Sequence, residues 1–137
     1  WLQSCELPSI AFPILEPEIF GQHYTAALTK NEMESLKLKA TQKPTYMNII
    51  TIPDDPTQMT ANLKAPIVIN QTEKVARQCV LQDNSLAIRE PIFVKLQSRV
   101  VQSPETSIKS LSKNLDFAVK IDHSVNYSEK SSIDQEL

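Results

Sequence analysis

The sequence predicts a mainly β protein: a small antiparallel β-barrel-like domain with one short helix, followed by a C-terminal helical or disordered tail. Two observations predict this class. Apolar runs of strand length are separated by short polar turns rich in proline, asparagine and aspartate, and one segment of the predicted domain carries helix-capping signals. A chain of 137 residues suffices for one compact domain. We therefore assign residues 1–93 to the β domain and residues 94–137 to a C-terminal extension.

The first strand and the helix are predicted from local signals. Residues 9–15 form a short apolar run, in which Pro13 requires an edge or bulge position. Thr29 stands at an N-cap position and Glu32 at the third helical position, a capping-box pattern. The sequence therefore predicts a helix over residues 30–38.

The centre of the sheet is predicted from residues 46–52, which are apolar on both alternating faces and so indicate a strand covered on both sides. Asp54 and Asp55 follow in a proline-bounded turn, where aspartate side chains typically cap the backbone. Residues 61–70 alternate between an apolar and a polar face, and residues 77–81 alternate next. The two segments predict an antiparallel hairpin.

The chain contains a single glycine, Gly21, so its turns are expected to rely on asparagine, aspartate and proline. In the extension, an apolar stripe at spacings of three and four residues predicts an amphipathic helix over about residues 104–120. The stripe consists of Ile108, Leu111, Leu115 and Val119. The remaining C-terminal residues have a composition typical of disorder.

Charge and hydropathy exclude several classes of protein. The net charge of −2 argues against direct binding of nucleic acid by phosphate neutralisation. No apolar run approaches the length of a membrane-spanning helix, which is about 20 residues, and the N-terminal residues lack the pattern of a signal peptide. We expect a cytoplasmic protein with no membrane partner. Because the chain begins with Trp1, we also expect that an N-terminal piece precedes it.

No pattern of residues predicts catalysis. Cys5 and Cys79 are too few for a disulfide scaffold and are expected to be reduced and buried. His23 and His123 lack metal-ligand spacing, and no nucleophile motif or glycine-rich phosphate loop occurs. The sequence predicts a protein that is not an enzyme, with no catalytic residue, metal or cofactor.

One segment, "MTANLKAPIVIN", resembles a strand of the FliW family of flagellar assembly factors. The resemblance extends to "RQCVLQDNSLAIREPIF", "WLQSCELPSIAFPILEPEIFGQHY" and "NIITIPDDP", and covers about residues 1–93. The matching positions of the central segments are Thr60, Asn62, Leu63, Ala65, Pro66, Ile69, Asn70, Gln78, Val80, Leu81, Arg89, Pro91 and Ile92. The chain departs from the family pattern at Glu16 and His23, and it lacks the family's opening strands.

The resemblance implies a small β-barrel-like protein that acts as a partner switch. It implies binding of flagellin in the cytoplasm, in the manner of a chaperone, and sequestration of the translational regulator CsrA, which relieves repression of flagellin translation. A monomer is expected. Two alternatives are a structural, self-associating subunit of flagellar assembly and an RNA-binding β-barrel. The small number of aromatic residues beside basic ones argues against RNA.

Three groups of residues are candidates for partner binding. Five acidic residues and one lysine fall between Glu6 and Glu34, and an acidic patch built around Glu16, Glu18 and Glu32 would attract a basic protein. The alternative is a solvated face. The second group is the polar face of the hairpin with its family motif, namely Asn62, Lys64, Pro66, Asn70 and Gln78. Its alternative role is to satisfy backbone groups at strand ends. The third group is Asp54 and Asp55 in the turn that matches the family.

Overall fold

Short antiparallel strands dominate the computed structural model, which describes residues 1–25, 27–102 and 120–121. The strands are β1 (Leu2–Gln3), β2 (Ala11–Phe12), β3 (Ile14–Leu15), β4 (Thr45–Thr51), β5 (Thr60–Ala61), β6 (Ile67–Asn70), β7 (Val75–Gln78), β8 (Glu90–Pro91) and β9 (Lys120–Ile121). The helices are α1 (Lys30–Ser35) and α2 (Phe93–Gln102), with 3₁₀ helices at Pro17–Phe20 and Pro56–Gln58. The predicted class, mainly β with antiparallel sheets and a short helix, is confirmed.

β4 is the centre of the main sheet, as its two apolar faces predicted. One of its edges pairs with β3, and its other edge pairs with β6 and then β5. β7 lies beside β6, and β8 lies beside β5. β1 and β2 form a separate two-stranded sheet, and the run predicted as one strand over residues 9–15 is divided at Pro13, which separates β2 from β3.

The strand predicted over residues 61–70 is interrupted. Met47 pairs with Ile67, and Ile50 pairs with Ala61. The segment from Ala61 to Ile67 is therefore three residues longer than the segment of β4 that it faces. These extra residues form a bulge over residues 62–66, between β5 and β6. The alternation of apolar and polar residues remains visible in the sequence, but continuous pairing is lost because Pro66 has no backbone donor. The predicted hairpin survives as β6 and β7.

The capping box of α1 is present as predicted. The Thr29 hydroxyl accepts from the Glu32 N–H at 3.2 Å, and the Glu32 carboxylate accepts from the Thr29 N–H at 2.7 Å. The helix ends at Ser35, three residues before the predicted end. Lys37 adopts a left-handed φ of 53°, and the Leu38 N–H donates to the Met33 carbonyl at 2.9 Å, which closes a Schellman motif.

The core lies on both faces of the sheet. On one face, Met47, Ile49, Ile67, Ile69 and Ala76 pack together, and the β1–β3 region covers them with Leu2, Phe12 and Ile14. The opposite face carries two clusters. One contains Phe20, Ile50, Ala61, Leu63 and Ile92. The other contains Leu36, Val68, Cys79 and Leu81. Segment 17–38 therefore covers this second face of β4 and β6.

The extension begins with a helix that the sequence did not predict at this position. The half-buried Leu96 of α2 packs against the cluster around Phe20 and Ile92, and Lys95 forms an ion pair with Glu90 at 3.0 Å. The helix predicted over about residues 104–120 lies outside the described residues except for Lys120, which belongs to β9. No helix in the described ranges is long and apolar enough to cross a membrane.

Candidate partner-binding surfaces

The polar residues Asn62, Lys64 and Gln78 of the predicted hairpin face bind backbone groups of the chain in and near the bulge over residues 62–66. The Asn62 side-chain oxygen accepts from the Ala65 N–H at 3.0 Å, and the Gln78 amide donates to the Ala65 carbonyl at 3.1 Å. The Lys64 ammonium donates to the Asp83 carbonyl at 2.8 Å. All three side chains are half-buried. These contacts match the alternative role that the sequence left open, satisfaction of backbone groups.

Asn70 and Pro66, which the sequence analysis grouped with the polar face of the hairpin, are both buried. Only 3% of Asn70 is exposed, and its amide donates to the carbonyls of Leu36 and Lys37 at 2.8 and 3.2 Å. Its side-chain oxygen accepts from the N–H groups of Thr72 and Glu73. Asn70 therefore joins the end of α1 to the β6–β7 turn. Pro66 is fully buried within the bulge.

A buried polar network that the sequence analysis missed lies beside the same bulge. Asn48, which is fully buried, donates from its amide to the Tyr24 hydroxyl at 2.6 Å and to the Asn62 carbonyl at 2.7 Å. The Tyr24 hydroxyl donates to the Leu63 carbonyl at 2.7 Å. Burial raises the pKa of Tyr24 to about 12. The one available signal was an asparagine within the apolar run of residues 46–52.

The acidic candidates are carried by separate elements. Glu18 belongs to the 3₁₀ helix Pro17–Phe20 and is exposed. Glu16 is half-buried at the N-cap position of that helix, and its side chain forms no capping hydrogen bond there. Glu32 is half-buried at the start of α1, where its carboxylate serves the capping box. Glu34 is exposed on the same helix. Glu32 is committed to a cap, whereas Glu18 and Glu34 are exposed, and exposed carboxylates attract basic proteins.

The two aspartates of the turn after β4 are exposed, and one of them caps the backbone as predicted. The Asp55 carboxylate accepts from the Thr57 N–H at 3.0 Å and from the Thr57 hydroxyl at 2.6 Å. These hydrogen bonds lower the pKa of Asp55. Asp54 is exposed beside it. The turn is therefore rigidly held at Asp55 and leaves both carboxylates facing solvent.

The cysteines differ from each other. Cys79 is buried as expected, and burial raises its pKa to about 12, which makes the thiol unreactive at neutral pH. Cys5 is exposed, so the expectation of burial is wrong for this residue. It lies in the β1–β2 hairpin, whose tip is held by a short turn rather than by packing. Within the described ranges, no group of three or more histidine, cysteine or acidic side chains is arranged to hold a metal.

The β1–β2 hairpin also exposes large apolar side chains. Trp1 is 81% exposed, and Leu7 and Ile10 are 58% and 44% exposed. Single exposed apolar residues are ordinary, and sequence reasoning did not single out these three. The signal was the short spacing of apolar residues among the first ten positions.

Comparisons with known proteins agree on one family. The family model described as "FliW protein" matches residues 1–92. A flagellar assembly factor FliW from Bdellovibrio bacteriovorus is 64% identical over 121 residues, which are 88% of this chain and 69% of that protein. The FliW proteins of Clostridium tetani and Leptospira biflexa are 36% and 35% identical, over 67% and 71% of this chain and 63% and 64% of their own lengths.

A solved structure gives the same result. The crystal structure of a flagellar assembly factor FliW superposes with a TM-score of 0.60 at 30% identity, covering 66% of this chain and 64% of that one. The two proteins therefore share their fold over about two thirds of the present chain. The present chain spans 63% to 69% of the lengths of these relatives.

Proposed function

This chain belongs to the FliW family of flagellar assembly factors, and on that premise we propose that it binds flagellin and, in alternation, the translational regulator CsrA. Flagellin bound in the cytoplasm would leave CsrA free to repress flagellin translation. When flagellin is exported, the chain would bind CsrA and relieve repression. The single observation that supports this proposal most strongly is the family match across residues 1–92, which contain the whole antiparallel sheet.

The polar residues of the hairpin restrict the kind of surface that a partner could meet. Asn62, Gln78 and Asn70 are engaged with backbone groups of the chain itself. A partner would therefore meet a rigid sheet and not a set of free polar side chains. Rigid surfaces lose little conformational entropy on binding, which favours recognition by preformed shape and charge.

Charge is the basis proposed for recognition of the RNA-binding partner. An RNA-binding regulator presents basic residues, and the exposed carboxylates Glu18 and Glu34 would attract them. Such attraction acts mainly on the association rate and weakens as salt screens it, over a length of about 10 Å at 0.1 M ionic strength. Flagellin binding is proposed on the family relationship alone.

Calorimetric titration against purified flagellin and separately against purified CsrA tests the proposal. We expect binding of each partner and displacement of one by the other. A folded sample that binds neither would sink the assignment. Binding of both at once, without displacement, would contradict the alternation and leave two independent sites.

A charge-neutralised variant tests the acidic surface. Glu18→Gln with Glu34→Gln should weaken CsrA binding by about 3- to 30-fold at low salt, equivalent to roughly 0.3–1 kcal/mol for each exposed charge. The matched control is Gln82→Lys with Asn84→Lys, which changes the net charge by the same two units in an exposed loop outside residues 6–34. Equal weakening in both variants would show that only net charge matters.

A further inference from the structure

The outer edge of β7 carries a strand that departs from the rest of the sheet. β9 pairs with β7 in parallel, with Val75 in register with Lys120 and Ala76 with Ile121. Every other strand pair in the described ranges is antiparallel. The two residues of β9 span the first half of β7, which continues to Gln78. The edge of the sheet is therefore occupied by a distant segment of the same chain.

The backbone bonds between β6 and β7 show which groups face this edge. The Cys79 N–H donates to the Pro66 carbonyl at 3.0 Å, and the Leu81 N–H donates to the Lys64 carbonyl at 2.9 Å. Because hydrogen-bonding direction alternates along an antiparallel strand, Ala76, Gln78 and Val80 direct their backbone groups away from β6. This outward row is a template for another extended strand.

Side chains along β7 define what an added strand would carry. Ala76 belongs to the apolar cluster of Met47, Ile67 and Ile69. Residues in register on paired strands lie on the same face of a sheet, so the position in register with Ala76 borders apolar surface and favours an aliphatic side chain.

Arg77 favours a polar residue at the next position of an added strand. Its Nη1 donates to the Ser35 hydroxyl at 3.1 Å, whereas its Nε is buried and has no hydrogen-bond partner among the residues that the structure describes. A buried guanidinium donor without an acceptor is costly, and a carboxylate is its strongest partner. An added strand would therefore carry an acidic residue directly after the aliphatic one. In the sequence of this chain, Ile121 is followed by Asp122.

We propose that the outer edge of β7 is a strand-addition site for an extended segment of a protein partner, with an aliphatic residue followed by an acidic one. Lys120 and Ile121 occupy this site within the same chain and compete with that partner. Such sites obtain affinity from main-chain hydrogen bonds and specificity from alternate side chains. The proposal does not depend on flagellin or CsrA, and it goes beyond the function proposed above.

Competition within one chain has a measurable consequence. Because β9 is tethered to the same chain, it acts at an effective concentration of about 1 mM. A free peptide must compete with this concentration to displace β9 from the edge of β7. Disruption of β9 should therefore raise the affinity for a free peptide by about 10-fold or more. In a parallel pair, the residue in register with Ala76 directs its backbone groups away from β7, and its neighbours supply the hydrogen bonds. Proline at Lys120 therefore removes a backbone donor that faces β7.

Fluorescence anisotropy with the full chain tests the proposal. The probe is a labelled peptide with the sequence of residues 117–125, FAVKIDHSV. We expect Lys120→Pro to bind the probe about 10-fold more tightly than the unmodified chain, and Ser132→Pro to behave like the unmodified chain. A probe with proline in place of its own lysine should bind neither. Ile121→Gly serves as a second variant, should the proline variant not fold.

Amide hydrogen exchange locates the binding. The amide of Ala76 should lose protection in Lys120→Pro and regain it when the probe is added. Equal affinity of the variant and the unmodified chain would overturn the competition, and absence of binding by a folded variant would overturn the site. Dimerisation of the variant that excludes the probe would also overturn it, because the edge would then accept a second copy of the chain.

Discussion

At the scale of single residues, polar side chains in this protein mainly complete the hydrogen bonding of irregular backbone. Asn48 and Tyr24 serve the carbonyls of Asn62 and Leu63, where regular pairing with β4 is interrupted. Asn70 serves the end of α1 and the β6–β7 turn. Buried backbone groups without partners would each be costly, so these side chains make the bulge possible.

The Tyr24 hydroxyl provides the first prediction. Tyr24→Phe removes a donor to the Leu63 carbonyl and an acceptor for the Asn48 amide. We expect the free energy of unfolding to fall by about 1–3 kcal/mol, because partly buried polar groups lose a partner. Urea denaturation measures the change. The control is Tyr46→Phe, since the Tyr46 hydroxyl forms no hydrogen bond within the described ranges; equal losses in the two variants would contradict the network.

Lys37 provides the second prediction, because its backbone is left-handed with φ at 53°. A side chain in this conformation costs roughly 1–2 kcal/mol, which glycine avoids while losing about 0.5–1 kcal/mol of unfolded-state entropy. Lys37→Gly should therefore raise the free energy of unfolding by up to about 1 kcal/mol. Lys39→Gly is the control, since Lys39 does not have a positive φ. Stabilisation by the control alone would refute the conformational explanation.

At the scale of elements, α1 depends on its caps more than on its length. It has six residues, none of them buried, so its packing on the sheet begins with Leu36 at its C-terminal end. An isolated helix of this length would not form in water. The capping box at Thr29 and the Schellman motif at Lys37 close both ends, and Asn70 ties the second end to the sheet.

Thr29 tests this dependence. Thr29→Ala removes the acceptor for the Glu32 N–H and should lower the free energy of unfolding by about 1 kcal/mol. Thr29→Ser retains the hydroxyl and should recover most of the loss. Thermal unfolding followed by circular dichroism measures both variants. A serine variant as unstable as the alanine variant would indicate that the threonine methyl group, and not the cap, supports the helix.

At the scale of the whole molecule, the fold is stabilised by packing on both faces of β4 and β6. The β1–β3 region covers one face and segment 17–38 the other. Three ionisable groups on the second face have a pKa that burial raises, namely Tyr24, Tyr46 and Cys79. Burial raises the pKa of both Tyr24 and Cys79 to about 12, from ordinary values of 10.0 and 9.0. Both groups are therefore neutral in the folded protein over a pH range in which the unfolded chain has lost their protons.

Stability should consequently fall at alkaline pH. Between about pH 9 and 12 the folded state binds more protons than the unfolded state, so the free energy of unfolding decreases as pH rises. Below pH 9 these two groups give no pH dependence. Urea midpoints measured at half-unit intervals test this expectation. Tyr24→Phe should show a shallower decline between pH 10 and 12; an identical slope would mean that Tyr24 ionises normally in the folded protein.

Sequence reasoning identified the elements whose signals are local. The capping box at Thr29, the doubly covered strand β4 and the β6–β7 hairpin all follow from residue type and spacing over a few positions. The expectation that asparagine and aspartate form the turns holds at Asp55 and Asn70. Besides Gly21, Lys37 and Lys74 adopt a left-handed backbone conformation, which no sequence pattern predicts at these two positions.

The candidate surfaces were predicted less well than the fold. Residue type showed that Asn62, Asn70 and Gln78 are polar, but it could not show whether their partners are solvent, another protein or nearby backbone. Asn70 is buried because the end of α1, more than thirty residues earlier in sequence, lies against it. Cys5 is exposed because only a small hairpin surrounds it.

The class of fold and the position of its central strand could be read from the sequence, because hydrophobic periodicity and capping act over short separations. The family was indicated separately, by the resemblance of the sequence motifs. The position of the bulge, the buried network of Tyr24 and Asn48, and the addition of β9 to the edge of β7 depend on the tertiary structure. These features join residues 9 to 45 positions apart. Such contacts depend on register and on the satisfaction of buried polar groups, which no local pattern encodes.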